Sequence, residues 1–188
     1  MSNIEIRPVS PRDAQCVLRL HKMVHVSDNQ NFTIDHTEYC QTKQSIKMWI
    51  YRVIRARASH GFVAVINKKV IGTIFVEGLG GQKTSEVCEV TMLSVDPEYR
   101  GQSAGLALME RALSACNENK YLRKLYGRAV ESNGAPPYLC QKAISSLSMP
   151  PIKLEGTMID YIKNNDGTFS NYCIWGIDLL TSDDSTLS

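Results

Sequence analysis

A run of about 20 apolar residues, the length a membrane-spanning helix needs, is missing from this 188-residue chain. Its first residues, Met-Ser-Asn-Ile-Glu-Ile-Arg, lack the basic end and apolar centre of a secretion signal, so a cytoplasmic protein without a membrane partner is expected. Charge of one sign is also lacking: Lys and Arg number 21 against 19 Asp and Glu, for a net charge of +2, and the basic residues are scattered. That excludes the basic stripe by which nucleic acid is held. Cys16, Cys40, Cys88, Cys116, Cys140 and Cys173 form no CxxC pair and mostly fall in apolar segments, where a reduced thiol packs as a small hydrophobe. Neither a disulfide framework nor zinc is expected, and His21, His25, His36 and His60 have no carboxylate partner at metal spacing.

What is present is the composition of one ordinary domain: 43% hydrophobic and 21% charged residues, in a chain long enough for one substantial core and too short for two. Residues 1–180 read as that domain and the polar residues 181–188 as a flexible tail. Ile4 and Ile6 alternate with polar neighbours and make a first strand that ends at Pro8. A helix follows, with Ser10 as N-cap, Pro11 in its first turn and Ala14, Val17, Leu18 and Val24 on its apolar side. Residues 27–36 read as a loop. Ile46, Trp49, Ile50, Val53 and Ile54 then repeat at helical spacing up to about Ser59, with Lys47, Arg52, Arg55 and Arg57 on a solvated face.

Phe62 to Ile66 and Val70 to Glu77 form a hairpin around Asn67-Lys68-Lys69, and Val87 to Val95 is a central strand. Leu106, Met109, Leu113 and Cys116 mark the buried stripe of a third helix. Leu122 to Val130 is a strand, Pro136-Pro137 opens a short helix to about Ser146, and Ile152 to Lys163 pairs with Tyr172 to Leu180 around an Asn-Asn-Asp-Gly turn. The order is strand, two helices, three strands, helix, strand, helix, two strands, an α/β class with about seven strands and four helices.

The segment from Met92 to Glu110 is the most informative. An apolar strand breaks at Asp96-Pro97 and re-emerges after Arg100-Gly101-Gln102-Ser103-Ala104-Gly105 as a helix. A strand that turns into a helix leaves the first helical N–H groups unpaired, and these donors with the helix dipole favour a bound anion such as a diphosphate. Arg100 adds a charge, and small residues at 101, 103, 104 and 105 let phosphate oxygens approach the backbone. The spacing is wrong for a two-glycine dinucleotide fingerprint, and no Gly-Lys-Ser/Thr follows for a P-loop.

With Arg100, Ser103 and Gly105 at its key positions, this loop resembles the coenzyme A loop of the GNAT superfamily of N-acetyltransferases, with Ser103 where glycine is usual. The order of elements agrees with that family over nearly the whole chain. The resemblance implies a mostly antiparallel sheet whose central parallel pair splays to hold coenzyme A, and acetyl-CoA as cosubstrate. It assigns Leu93, Ser94, Val95, Arg100, Gly101, Gln102, Ser103, Ala104, Gly105 and Asn133 to the coenzyme, with backbone pairing at Leu93 and Val95 and an oxyanion donor near Leu93. The implied partner is a small-molecule or peptide amine, and a homodimer is left open.

An amine arrives as ammonium at neutral pH, so its proton needs an acceptor near the thioester, directly or through water. The resemblance points to Glu89, which by strand alternation shares a face with Val87, Thr91, Leu93 and Val95, and whose burial would raise its pKa. Glu77 and Glu86 would make the approach electronegative. Tyr138, at the start of the last helix, is the implied proton donor to the leaving thiolate, although it stands five residues after Asn133 where seven is commoner. Cys140 has no histidine near it in sequence, which argues against an acyl-cysteine route. The function expected is direct acetyl transfer in a ternary complex; the alternatives are a non-catalytic coenzyme A sensor and a plain interaction domain.

Overall fold

Apolar residues on both faces of the central strands mean that the sheet is covered from two sides. The computed structural model describes residues 3–28, 41–80, 84–164 and 166–179. Its strands are β1 (Glu5–Pro8), β2 (His60–Ile66), β3 (Lys69–Gly78), β4 (Val87–Val90), β5 (Ser94–Val95), β6 (Lys124–Val130), β7 (Lys153–Lys163) and β8 (Phe169–Asp178). Its helices are α1 (Ala14–Ser27), α2 (Lys43–Arg55), α3 (Ala104–Asn117) and α4 (Ala135–Leu147). One sheet runs in the order β1-β2-β3-β4-β6-β8-β7, with β5 continuing alongside β3, and only β4 and β6 are parallel.

Alternation divides β2 and β3 between two cores. Val63, Val65 and Phe75 face Val17 of α1 and Ile50 and Val53 of α2. Phe62, Ala64, Ile74 and Val76 face Leu108, Met109 and Leu113 of α3, in a core that also takes Cys140 and Ile144 of α4. Most elements fall where the periodicity puts them. The first turn after Ser10 is a 3-10 turn, Pro11–Asp13, whose Asp13 is gripped by Arg7 at 2.8 Å and by the Ser10 amide at 2.8 Å. The second helix stops at Arg55, so β2 can begin at His60. The expected loop at 27–36, with Phe32 and Tyr39, lies largely outside the described residues, as does the tail from Thr181. Among the described residues no helix is long and apolar enough to cross a membrane.

The expected continuous strand Val87 to Val95 is two strands, which is why the sheet has eight. Val90 lies opposite Val76, yet Ser94 lies opposite Thr73, so the pairing with β3 gains one residue in between. Phe75 absorbs it: its carbonyl accepts from Thr91 N–H at 2.9 Å and its N–H donates to the Met92 carbonyl at 3.1 Å. This β-bulge puts two residues opposite one and bends the strand. It also reverses the alternation. Cys88 and Val90 before it, and Leu93 and Val95 after it, all pack on the α3 core, whereas Met92 packs on the α1–α2 core. Glu89 is therefore not on the face of Leu93 and Val95, as unbroken alternation predicts; it shares the α2 side with its cross-strand partner Glu77, which accepts a hydrogen bond from Arg52 of α2.

His21 ties α1 to this region. Its Nε2 stands 3.0 Å from Thr73 Oγ1 in β3, the ring is fully buried, and desolvation, with the neighbouring His25 adding to it, pushes its pKa down to about 3. The fold thus favours neutral His21. That stabilisation is complete above the unfolded-state pKa near 6.5 and is lost as pH falls toward 3. Urea denaturation is expected to show stability falling by about 2 kcal/mol between pH 7 and pH 5 from this group, and His21→Gln to lose markedly less over the same interval.

Candidate active site

Parallel pairing between β4 and β6 ends at Val90 opposite Gly127. Beyond it the bulged strand follows β3 while β6 follows β8, and a cleft of about 840 Å³ opens between them. Met92 and Asp96 direct backbone bonds to β3, and Ser94 is in register with Thr73. By alternation the backbone groups of Leu93 and Val95 point the other way, into the gap. Arg128 and Ala129 form the opposite wall, Trp49 and Arg52 of α2 stand on one side of the sheet, and Asn133 and Pro136 at the start of α4 on the other.

On the α2 side, Glu89 is buried and both its oxygens are engaged. Tyr126 Oη donates to one at 2.7 Å, and Arg128 Nε donates to the other at 2.6 Å. The same carboxylate and burial hold the Tyr126 hydroxyl up to about 12, with desolvation the larger cause. Glu89 does not itself line the cleft, whereas Arg128 does. Glu77 is likewise bonded to Arg52 at 3.0 Å and to Thr91 Oγ1 at 3.1 Å, and Glu86 lies 3.2 Å from Arg123. The electronegative approach expected from Glu77 and Glu86 is thus neutralised by ion pairs. Arg52, expected on a merely solvated face, lines the cleft.

On the α3 side, the turn into α3 has two left-handed residues, Gly101 at φ +74° and Ser103 at φ +65°. Alternate left-handed residues turn successive N–H groups to one side, and the first intrahelical bond of α3, from Ala107 N–H to the Ser103 carbonyl, leaves the earlier amides without helical partners. Gly101, Gln102 and Ser103 are exposed at this mouth. Ala104 is buried in the core, and a Cβ on Gly105 would meet Leu139 at 3.1 Å and Val95 at 3.6 Å. Their smallness serves the packing of α3 on α4 and β5. Arg100 is paired with Asp28 at the end of α1, with its Nε 3.4 Å from the Val95 carbonyl.

These features fit a pantetheine diphosphate. The fit is sharpened by Trp175, which lines the cleft, is 4% exposed, and has an indole N–H with no hydrogen-bond partner among the described residues. A buried donor left unpaired costs free energy unless a ligand or water meets it. Its ring lies over Gly127, where a Cβ would come within 2.2 Å of it, so only glycine admits the indole there. Asn133 lines the cleft. Tyr138 does not and is exposed, with Lys142 Nζ 4.8 Å from its ring, but its neighbour Leu139 packs at the head of α3. Seven residues after Asn133 stands Cys140, buried in the core, where desolvation holds its thiol up to about 12.

Sequence reasoning missed Arg128 and Trp175. A charged residue inside a central strand was the available signal for Arg128; nothing local marks Trp175, whose role depends on Gly127 across the ladder. A serine at φ +65° carries about 1 kcal/mol of backbone strain that glycine would not, offset by glycine's greater chain entropy when unfolded. Ser103→Gly is therefore expected to stay within about 0.5 kcal/mol of the parent in urea denaturation, and Ser103→Val to lose more than about 1 kcal/mol.

Among curated proteins no sequence matches the chain. Solved structures do match in fold. A GNAT-family acetyltransferase from Streptococcus pneumoniae superposes with a TM-score of 0.79 at 17% identity, over 95% of this chain and 100% of that one. An N-acetyltransferase from Staphylococcus aureus Mu50 gives 0.77 at 22% identity, over 95% and 100%. The protein yncA of Salmonella typhimurium, solved with its cofactor acetyl-CoA, gives 0.78 at 15% identity, over 95% of each. The model of the acetyltransferase (GNAT) family matches residues 22–136, which span the cleft from α1 to the start of α4, and the chain belongs to that family.

Proposed function

We propose that the protein transfers the acetyl group of acetyl-CoA to a primary amine by direct attack in a ternary complex. The observation that carries this reading is the break in the parallel β4–β6 pair after Val90, with Leu93 and the buried Trp175 indole lining the cleft that opens there. Bound coenzyme would supply the acyl group as an activated thioester. The loop from Arg100 to Gly105 holds the diphosphate, and Leu93, Ser94 and Val95 with Asn133 hold the pantetheine arm. The Leu93 N–H donates to the carbonyl oxygen as charge gathers on it, a role whose loss costs of order 3 kcal/mol.

Glu89 receives the amine's proton through a water, since its own oxygens carry Tyr126 and Arg128 and it does not line the cleft. Tyr138, in the first turn of α4, donates a proton to the departing sulfur as the bond from nitrogen to the acyl carbon replaces the carbon–sulfur bond. Acetyl-CoA at one hundred times its dissociation constant is expected to stabilise the protein by about 2.7 kcal/mol in a thermal shift assay; no shift overturns the reading. Binding without thiol release in the presence of amines would leave a sensor instead.

For Glu89→Gln, the pH dependence of turnover is expected to move. A change in acceptor KM alone would reduce Glu89 to the anchor of Arg128. Tyr138→Phe is expected to slow turnover with coenzyme affinity kept, and an unchanged rate removes Tyr138 from the mechanism.

A further inference from the structure

The α2 side of the cleft has an unusual balance of charge. Among the described residues no Asp or Glu lines it, while two guanidinium groups do, Arg52 and Arg128. Each arginine is anchored by one nitrogen to a carboxylate set back from the cleft: Arg128 Nε to Glu89, and Arg52 Nη2 to Glu77. The terminal nitrogens of Arg128, and Nε and Nη1 of Arg52, take no hydrogen bond among the described residues. Anchored guanidinium groups with open N–H edges are preorganised for a planar anion, because the fork pairs with a carboxylate through parallel hydrogen bonds. A second cation would be repelled from the same place. Beside them Ile46, Met48 and Trp49 of α2 and Met92 of the bulge give an apolar wall, with the polar Gln41, Ser45, Thr91 and His25 elsewhere in the lining.

We propose that the acceptor is an amino acid with an apolar side chain. Its carboxylate lies on Arg128 and Arg52, its side chain packs against Trp49 and Met92, and its amine is left to reach the gap beside Leu93. This rests on the acetyl-transfer reading above and deepens it. Glu77 and Glu89 act here as positioning residues, holding the two guanidinium groups.

The test measures thiol release from saturating acetyl-CoA with L-leucine, L-methionine and L-phenylalanine, each against its carboxamide, with spermidine and O-phosphoethanolamine as further arms. The expected kcat/KM for the free acids exceeds that for the carboxamides by about 30-fold, the loss of a charge-assisted pair. Arg52→Gln and Arg128→Lys should each lower that ratio, mainly through acceptor KM. A general loss of catalysis or of folded protein would depress acid and amide alike, so the ratio stays informative. Carboxamides or spermidine turned over as well as the acids overturn the proposal, and so does a preference for the phosphate. If no amine is turned over, the amino acids must still raise the melting temperature of the coenzyme A complex; no rise overturns the proposal. Should acetyl-CoA itself give no thermal shift, the acetyl-transfer reading falls with it; a shift without carboxylate preference removes this inference alone.

Discussion

One extra residue opposite Phe75 organises the molecule. Without the bulge, β4 would run straight into β5 and the parallel ladder with β6 would continue, leaving no gap in the sheet. With it, the strand bends away from β6 after Val90, and the backbone of Leu93 leaves the ladder with β6 on one edge, while the Val95 carbonyl accepts from Arg100 and the other edge remains bonded to β3. Irregular pairing in a central strand sacrifices ladder hydrogen bonds. Here that sacrifice opens a cleft through the sheet, with Trp49 and Arg52 of α2 on one side and Asn133 and Pro136 on the other.

The bulge also divides the chemistry between the two faces. Side chains that would otherwise crowd together are sent apart: Leu93 and Val95 support the α3 side, while Met92 joins Trp49 on the α2 side. Glu89 lies just before the reversal and so keeps company with Glu77, Tyr126 and Arg128. Two carboxylates on adjacent strands repel each other, and each is satisfied by its own arginine. These pairs, Arg128–Glu89 partly buried and Arg52–Glu77 exposed, leave a cleft whose accessible charge is positive although its supporting strands carry acids.

The fold was largely legible because its elements are strongly periodic. Ile46, Ile50 and Val53 announce α2, and the unbroken apolar run Phe62 to Ile66 of β2 announces a strand covered on both faces. The turn from β5 into α3 was legible too, since a strand, Asp-Pro, and a run of small residues before a helix is a local pattern. The bulge was not, because nothing in Thr91-Met92-Leu93 violates a strand pattern, and the reversal of faces follows only from the register with β3. Glu89 could be placed on the right strand but not with its partners. Tyr126 and Arg128 come from 37 and 39 residues away. The packing of Ala104 and Gly105 was not legible, because a small residue that admits a ligand and one that admits a neighbouring helix look alike in sequence.

Arg100 does not wait at the loop as a bare charge; the end of α1 already holds it through Asp28. Any anion that takes this guanidinium does so by exchange, evicting a carboxylate that then stands beside newly arrived negative charge. Repulsion would push Asp28 outward, and with it the point where the chain leaves α1.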